Sequence, residues 1–544
     1  MADHNQPMSD TSAVRVATMF EVGSTTTREH TGVLDFGVAP LVKFGIGTPT
    51  EITLTALLQH NRDQTDYGVP PLNGFPVNVG RNVAYGFTDD RTGQDIASVG
   101  LTVDHKFNKD LKLRNQTQFN YVNTDMRETS GQNVGIPGGA GGFTATPQSG
   151  LPLSSLWVRQ QSRDRKIYDF TVTNLTELNA KFDTSSVKHD ALVGLELGYD
   201  SYWNQTYLRT GNCNGFALAS GFVACNPVLN LPSTGSPGTV TNTLGNLATA
   251  NARSIAGYVS DSAEIFPGIK LVGGVRYDVY DAKIGNSINV LNAAGNTTAA
   301  YSEQTIYYTS YRGGAIWQPT NEYSFYGSYS TSFNPSLEQL TATTGTTAPL
   351  PPEENRAMEI GAKADFFRGN LSVNGALFQI DKYNARSQGV VAGSFDATGQ
   401  IRVQGARAGT SGRLWDDLQI FGGYTYLDAR IVNGIAVNTA GDILLNTPNH
   451  SASIWATYTF LQNWETGGGV FYVGQRYVNN NTVQVPEYFR FDLTAAYKAE
   501  TFNIRLNVFN VFDTMYYDSL IASDGGCAVP GSGRTAMLTL TKRF

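Results

Sequence analysis

The chain contains no apolar run of 18 residues, the length that reads as a membrane-crossing helix, and this excludes a helical inner-membrane transporter. Charge is scarce: 16% of residues are Asp, Glu, Lys or Arg, with a net charge of -7 and a pI near 5.5. Nucleic acid calls for a basic face, so that partner is excluded. Histidine is sparse and scattered, at 4, 30, 60, 105, 189 and 450, and no HExxH, GxSxG, P-loop or CxxC pattern occurs. Neither a catalytic set nor a metal-ligand set emerges. Asp89-Asp90 and Asp416-Asp417 are adjacent carboxylates. Neighbours on a strand face opposite ways, so such pairs read as turn or rim residues rather than an acid–base couple, and an enzyme is not expected. There are three cysteines. Cys213 and Cys225 lie close together in a Gly-, Asn- and Ser-rich segment and read as a loop disulfide, which fits an oxidising compartment. A metal pair or plain thiols are the alternatives, and Cys527 is left over. The first ten residues, MADHNQPMSD, lack the charged and apolar regions of a signal peptide.

What the chain has is alternation. Residues 488–498 put Phe489, Phe491, Leu493, Ala495 and Tyr497 on one face and Arg490, Asp492, Thr494, Ala496 and Lys498 on the other. The same period runs through 502–508 and 536–541, and the chain stops on Phe544. Such segments recur from 13–22 to the C-terminus, roughly 20 in all, with no linker or composition shift between them. Short turns rich in Gly, Pro, Asn and Asp, such as 107–110 and 267–268, alternate with long connections such as 61–92, 125–165 and 204–250. Segments of about 10 residues with aromatic ends, short turns on one rim and long loops on the other predict an all-β, transmembrane antiparallel barrel. A propeller would repeat every 40–50 residues or so, and no such period is present.

The first two long connections gather cations and aromatics. Arg81, Arg91, Arg127, Arg159, Arg163 and Arg165 fall in or beside them, and Tyr67, Phe75, Tyr85 and Phe87 interleave with the first. Arg and aromatic rings suit a flat anionic aromatic ligand. Tyr67, Arg81, Tyr85, Phe87, Arg91 and Arg127 are therefore the candidate ligand-binding residues. The alternatives are Arg at the lipopolysaccharide level, or pairing with Asp63, Asp66, Asp89 and Asp90.

Several stretches resemble the TonB-dependent siderophore receptors, in their ferric-catecholate branch. Residues 507–517, NVFNVFDTMYY, resemble the family's N-x-x-N-L-F-D-x-x-Y-Y signature. Residues 529–544, VPGSGRTAMLTLTKRF, resemble its closing strand with a terminal Phe. Residues 329–363, with SFNP and then PEENRAMEIGAK, also match, as do 421–429, 447–455 and DYGVP at 66–70. The turn 405–413 departs, with Ala408 where the family commonly has an acid.

The resemblance implies an outer-membrane receptor of a Gram-negative bacterium that takes up ferric siderophores, with iron as cargo and no resident cofactor. It implies TonB-ExbB-ExbD as the energising partner, outer-membrane lipid and lipopolysaccharide around the wall, and barrel-assembly machinery reading Phe544. It also implies a barrel of about 22 strands behind a plug and a TonB box. Residues 1–20 resemble the turn after the second strand running into the third, so 1–544 reads as a single barrel domain with plug and first strands missing. Other functions in view are a TonB-dependent receptor for haem, cobalamin or an oligosaccharide, and a passive pore or non-functional remnant.

Overall fold

The structure, a computed structural model, describes the chain except for residues 25–26, 29–30, 146–149, 230–238, 292–296, 336–350, 389–394, 435–439, 479–480 and 522–525. One 21-stranded sheet dominates. Its strands are β1 (Ala2–Ser9), β2 (Ser12–Ser24), β3 (Gly32–Phe44), β4 (Thr50–Asp63), β5 (Arg91–Lys106), β6 (Leu111–Arg127) and β7 (Asp164–Thr184). Then come β8 (Val187–Thr210), β9 (Thr241–Phe266), β10 (Ile269–Leu291), β11 (Thr297–Trp317), β12 (Tyr323–Asn334), β13 (Glu353–Phe366) and β14 (Leu371–Gln388). The last seven are β15 (Phe395–Trp415), β16 (Leu418–Asn433), β17 (His450–Phe460), β18 (Trp464–Val473), β19 (Tyr488–Lys498), β20 (Phe502–Phe509) and β21 (Thr535–Lys542). Every strand pairs antiparallel with the next in sequence. A meander of this kind satisfies the backbone groups of each inner strand between its two neighbours, as hydrocarbon requires.

The alternating segments all lie on these strands. Ala2–Ser9 is the addition, and it corrects the reading of 1–20 as a turn running into one strand: two strands meet at 10–11. ADHNQPMS has no apolar alternation, and the strand is exposed along its whole length. Its ladder to β2, from Ala2 opposite Thr18 to Ser9 opposite Ser12, makes it a strand. Among the described residues no ladder joins β1 to β21.

The faces are inverted relative to a water-soluble sheet. On β19 the apolar set Phe489, Phe491 and Leu493 is exposed, while Asp492, Thr494 and Ala496 on the other face are buried. The apolar face meets lipid and the polar one lines the lumen. Lumenal charges are paired along the wall: Arg276 with Glu196 at 2.8 Å and Asp278 at 2.9 Å, Arg407 with Glu359 at 2.8 Å, and Glu465 with Lys498 at 2.6 Å and Arg505 at 2.8 Å. At the short-turn rim aromatic rings pair between neighbouring strands, as in Trp317–Phe325 at 5.3 Å and Trp464–Tyr497 at 5.0 Å. β8 and β9 run for 24 and 26 residues, far beyond the 9–11 or so that cross a bilayer, and so extend past it at the long-loop rim.

Placing a charge on the lipid face at mid-strand tests the inversion. Leu493 is 52% exposed there. Leu493→Arg should destabilise the barrel by about 2–4 kcal/mol, read from guanidinium unfolding in lipid vesicles; a change within error would place that face outside the hydrocarbon.

Candidate functional site

The long connections are not separate solvated loops. Five of them share one buried core. Val69, Val77 and Tyr85 come from 64–90; Val134, Leu156 and Val158 from 128–163; and Val228 from 211–240. Val478, Val483 and Val485 come from 474–487, and Tyr517 and Ala528 from 510–534. Here the polarity is conventional, apolar inside, because water rather than lipid surrounds the cap. A small sheet of Thr129–Pro137, Phe143–Thr144, Trp157–Ser162 and Phe222–Pro227 gives the cap some ladder bonds. Cys213 and Cys225 are joined by a disulfide next to it, packed with Phe143 and Leu218.

Irregular backbone still leaves carbonyl oxygens without ladder partners, and buried arginines serve them, since a guanidinium carries five donors. Arg209, 1% exposed, donates to the Glu128 carbonyl at 2.9 Å, Thr129 Oγ1 at 2.9 Å and Asp164 at 2.9 Å. Arg28 grips Asp66 through two bonds of 2.6 Å and donates to the carbonyls of Arg81 and Val83. Arg476 donates to the carbonyls of Tyr517 at 2.5 Å and Asp518 at 3.3 Å.

The first and last long connections meet directly. Val69 and Ala528 exchange backbone bonds of 2.8 and 3.0 Å. Gly68 makes this possible: its φ is +73°, and an added Cβ would lie 2.3 Å from the Ala528 oxygen. Arg81 crosses to Asp513 at 2.7 Å and to the carbonyls of Asp513 and Thr514 at 3.2 and 2.8 Å. The Asn510 side chain, also buried, ties the carbonyls of Thr514 and Ser532 at 2.9 and 3.0 Å. Cys527 is fully buried, donates to the Gly131 carbonyl at 3.0 Å, and burial pushes its thiol up to about 12.

Four of the six expected ligand-binding residues are engaged in holding this cap. Tyr85 and Phe87, 2% and 4% exposed, do not offer their rings to a ligand in this arrangement. The Tyr85 hydroxyl donates to the Val228 carbonyl at 3.1 Å, and the Phe87 amide donates to Asp90 at 2.9 Å. Arg81 is the latch just described. Arg91 lies 3.5 Å from the Asp89 carbonyl. Arg127 pairs with Asp89 at 2.9 Å, as the alternative reading had it, but its buried Nε has no hydrogen-bond partner.

Tyr67 stands differently. Burial pushes its phenol up to about 12, and it lies within electrostatic reach of Glu128, Arg165 and Arg163. Arg165 is on the lumen-facing side of β7, its Nε buried and without a hydrogen-bond partner, and it is within reach of Tyr202 on β8. Arg159 lies 3.7 Å over the Phe222 ring, and its Nε is buried and unbonded too. Arg163 and Arg165 were noted in the sequence but not chosen. Their odd spacing into an alternating strand was the signal, because it carries Arg165 onto the polar face. Sequence reasoning missed the buried Glu128 entirely.

The family description "TonB dependent receptor-like, beta-barrel" fits residues 44–511, most of the chain. This chain belongs to the TonB-dependent receptors. The barrel is therefore an outer-membrane protein of a Gram-negative bacterium and a transporter rather than an enzyme. The chain is 27% identical to the probable TonB-dependent siderophore receptor PiuA of Acinetobacter baumannii, covering 100% of this chain and 74% of that one. It is 26% identical to the catecholate siderophore receptor Fiu of Escherichia coli K12, with the same coverage. The closed-form crystal structure of Fiu superposes with a TM-score of 0.85 at 24% identity, over 100% of this chain and 79% of that one. This receptor barrel thus has the fold of its relatives at low sequence identity.

Two substitutions test the cap. Arg81→Ala removes bonds to a half-exposed partner and should weaken the junction by about 1–2 kcal/mol. Gly68→Ala should weaken it more, because its Cβ has no room. The buried thiol reports both: Cys527 should resist maleimide in the wild type and react at least about fivefold faster in either variant. Equal rates in all three would mean that the junction does not hold the cap.

Proposed function

We propose that residues 1–544 are the barrel domain of an outer-membrane receptor for ferric siderophores of the catecholate type, with uptake energised by the TonB complex. The observation that carries the ligand reading is the group of Tyr67, Arg163 and Arg165 at the root of the cap. Arg165 keeps a buried guanidinium N–H without a hydrogen-bond partner. A ferric tris-catecholate is anionic and flat-sided. Its oxygens supply the missing acceptors, and its rings stack on guanidinium and phenol. Desolvation strengthens such contacts, and burial already depresses the Arg163 side chain's affinity for its proton. Arg81, Tyr85, Phe87 and Arg91 act at one remove by fixing the cap's shape.

The names of PiuA and Fiu point the same way. Haem is a poorer fit. The described histidines sit on barrel strands, His60 with Asp95 at 2.6 Å, His189 with Asp261 at 2.6 Å, and His450 with Tyr424 at 2.8 Å. Lipid and lipopolysaccharide contact the outward apolar and aromatic wall in this reading. The fully exposed Phe544 is offered to the assembly machinery. Iron passes through as cargo.

The test is binding of a ferric catecholate to the receptor in outer-membrane vesicles, by quenching of intrinsic fluorescence. Arg163→Ala and Arg165→Ala should each raise Kd at least about tenfold, the worth of one charge-assisted contact. Growth on that chelate as iron source should fall in parallel. Unchanged Kd in both variants would remove these residues from the site, and no binding by the wild type would remove the siderophore reading.

A further inference from the structure

We infer that Glu128 is a proton-operated switch: neutral, it lets the cap close and its arginine face accept an anion; ionised, it loosens the first and simultaneously repels the second. The second half rests on the ligand face proposed above; the first half does not.

Glu128 is the first residue after β6, at the root of the 128–163 connection. Its side chain is fully buried. Oε1 accepts from the Thr65 amide at 3.3 Å and from Thr92 Oγ1 at 2.9 Å, so it anchors both ends of the 64–90 connection. Oε2 has no hydrogen-bond partner. No cation reaches the carboxylate within ion-pair distance among the described residues. Arg209 touches only the Glu128 carbonyl, and its charge goes to Asp164 at 2.9 Å and Asp90 at 3.6 Å.

The charged and titratable groups around it come from several elements. They are Asp90 and Tyr67 on the 64–90 connection, Arg163 at its end of the 128–163 connection, Asp164 and Arg165 on β7, and Arg209 on β8. Arg127, next in the chain, is held by Asp89. The Arg163 amide donates to the Glu128 carbonyl at 2.9 Å, and Tyr67 lies within electrostatic reach of Glu128, Arg163 and Arg165 alike. An ionised Glu128 is thus a buried charge without an ion-pair partner, backbone-bonded to Arg163 across the root of the 128–163 connection.

Burial holds the Glu128 carboxyl at about 7 and that of Asp90 at about 6, both above the ordinary carboxylate range. The sign follows. Between about pH 4.5 and 7 the opened cap releases a proton that the closed cap keeps. Closure therefore weakens as pH rises through that window, by up to about tenfold per unit, and is flat above it. The local gap also allows adjustment: Thr92→Val removes a bond that favours the ionised form and should move the window to higher pH.

The experiment is hydrogen exchange of the Val69 and Val77 amides in the full chain in vesicles, corrected for intrinsic rates, from pH 5 to 8. Wild-type protection should fall at least about tenfold between pH 5 and 7.5, while Glu128→Gln stays within about twofold. Glu128→Gln tracking the wild type, or Thr92→Val leaving the window in place, overturns the switch. Binding of a ferric catecholate at pH 6 and 8 is the second arm, read as the ratio of Glu128→Gln to wild-type affinity, which cancels the chelate's own titration. That ratio should rise about three- to tenfold from pH 6 to 8. A flat ratio with binding intact overturns the coupling to ligand and leaves the siderophore reading standing. Absence of binding by both proteins fails that reading instead.

Discussion

Every backbone N–H and C=O that enters hydrocarbon must find a partner within the protein, and the rest of this structure depends on that constraint. A strictly sequential antiparallel sheet meets it with short turns at one rim and leaves the other rim free for long connections. The same constraint inverts the polarity of the strands. Leu493 faces out because lipid tolerates it, and Asp492 faces in because the lumen can pair it with Arg490 at 3.0 Å. Above the membrane the constraint relaxes, water returns, and the connections revert to a conventional apolar core.

That change of solvent explains how the cap is built. Its backbone has little ladder to lean on, so guanidinium groups take over the role of neighbouring strands. Arg28, Arg209 and Arg476 are nearly inaccessible and donate to backbone carbonyls, and Arg28 and Arg209 also pair with carboxylates. Beside Tyr67, Arg165 keeps a buried Nε without a hydrogen-bond partner. Glu128 is the counterpart: an acceptor placed where no cation answers it.

The barrel was legible because period-two alternation is strong in segments such as 488–498 and 502–508, and because turn residues mark the short rim. Ala2–Ser9 was not, since its polar composition carries no alternation and only the β2 ladder defines it. The shared core of the long connections was not legible, for a specific reason. Val69, Val77, Val134, Val158, Val478 and Val483 are spread through Gly- and Asn-rich stretches at intervals that only tertiary contact brings together. The arginine–aromatic composition of the first loops drew attention to the 61–92 and 125–165 connections. It could not separate Tyr85, whose ring fills the core, from Tyr67 beside Arg165, because that depends on which side of the cap each residue lands.

The account stands on charge recognition by the cap's underside, and charge selectivity tests it most directly. The measurement is equilibrium binding to the receptor in vesicles of a ferric tris-catecholate and of an uncharged iron chelate of similar size, at one pH and two salt concentrations. The account predicts that the anionic complex binds at least about a hundredfold more tightly, with a preference that shrinks as salt rises. Equal affinity for the two chelates, independent of salt, would contradict it.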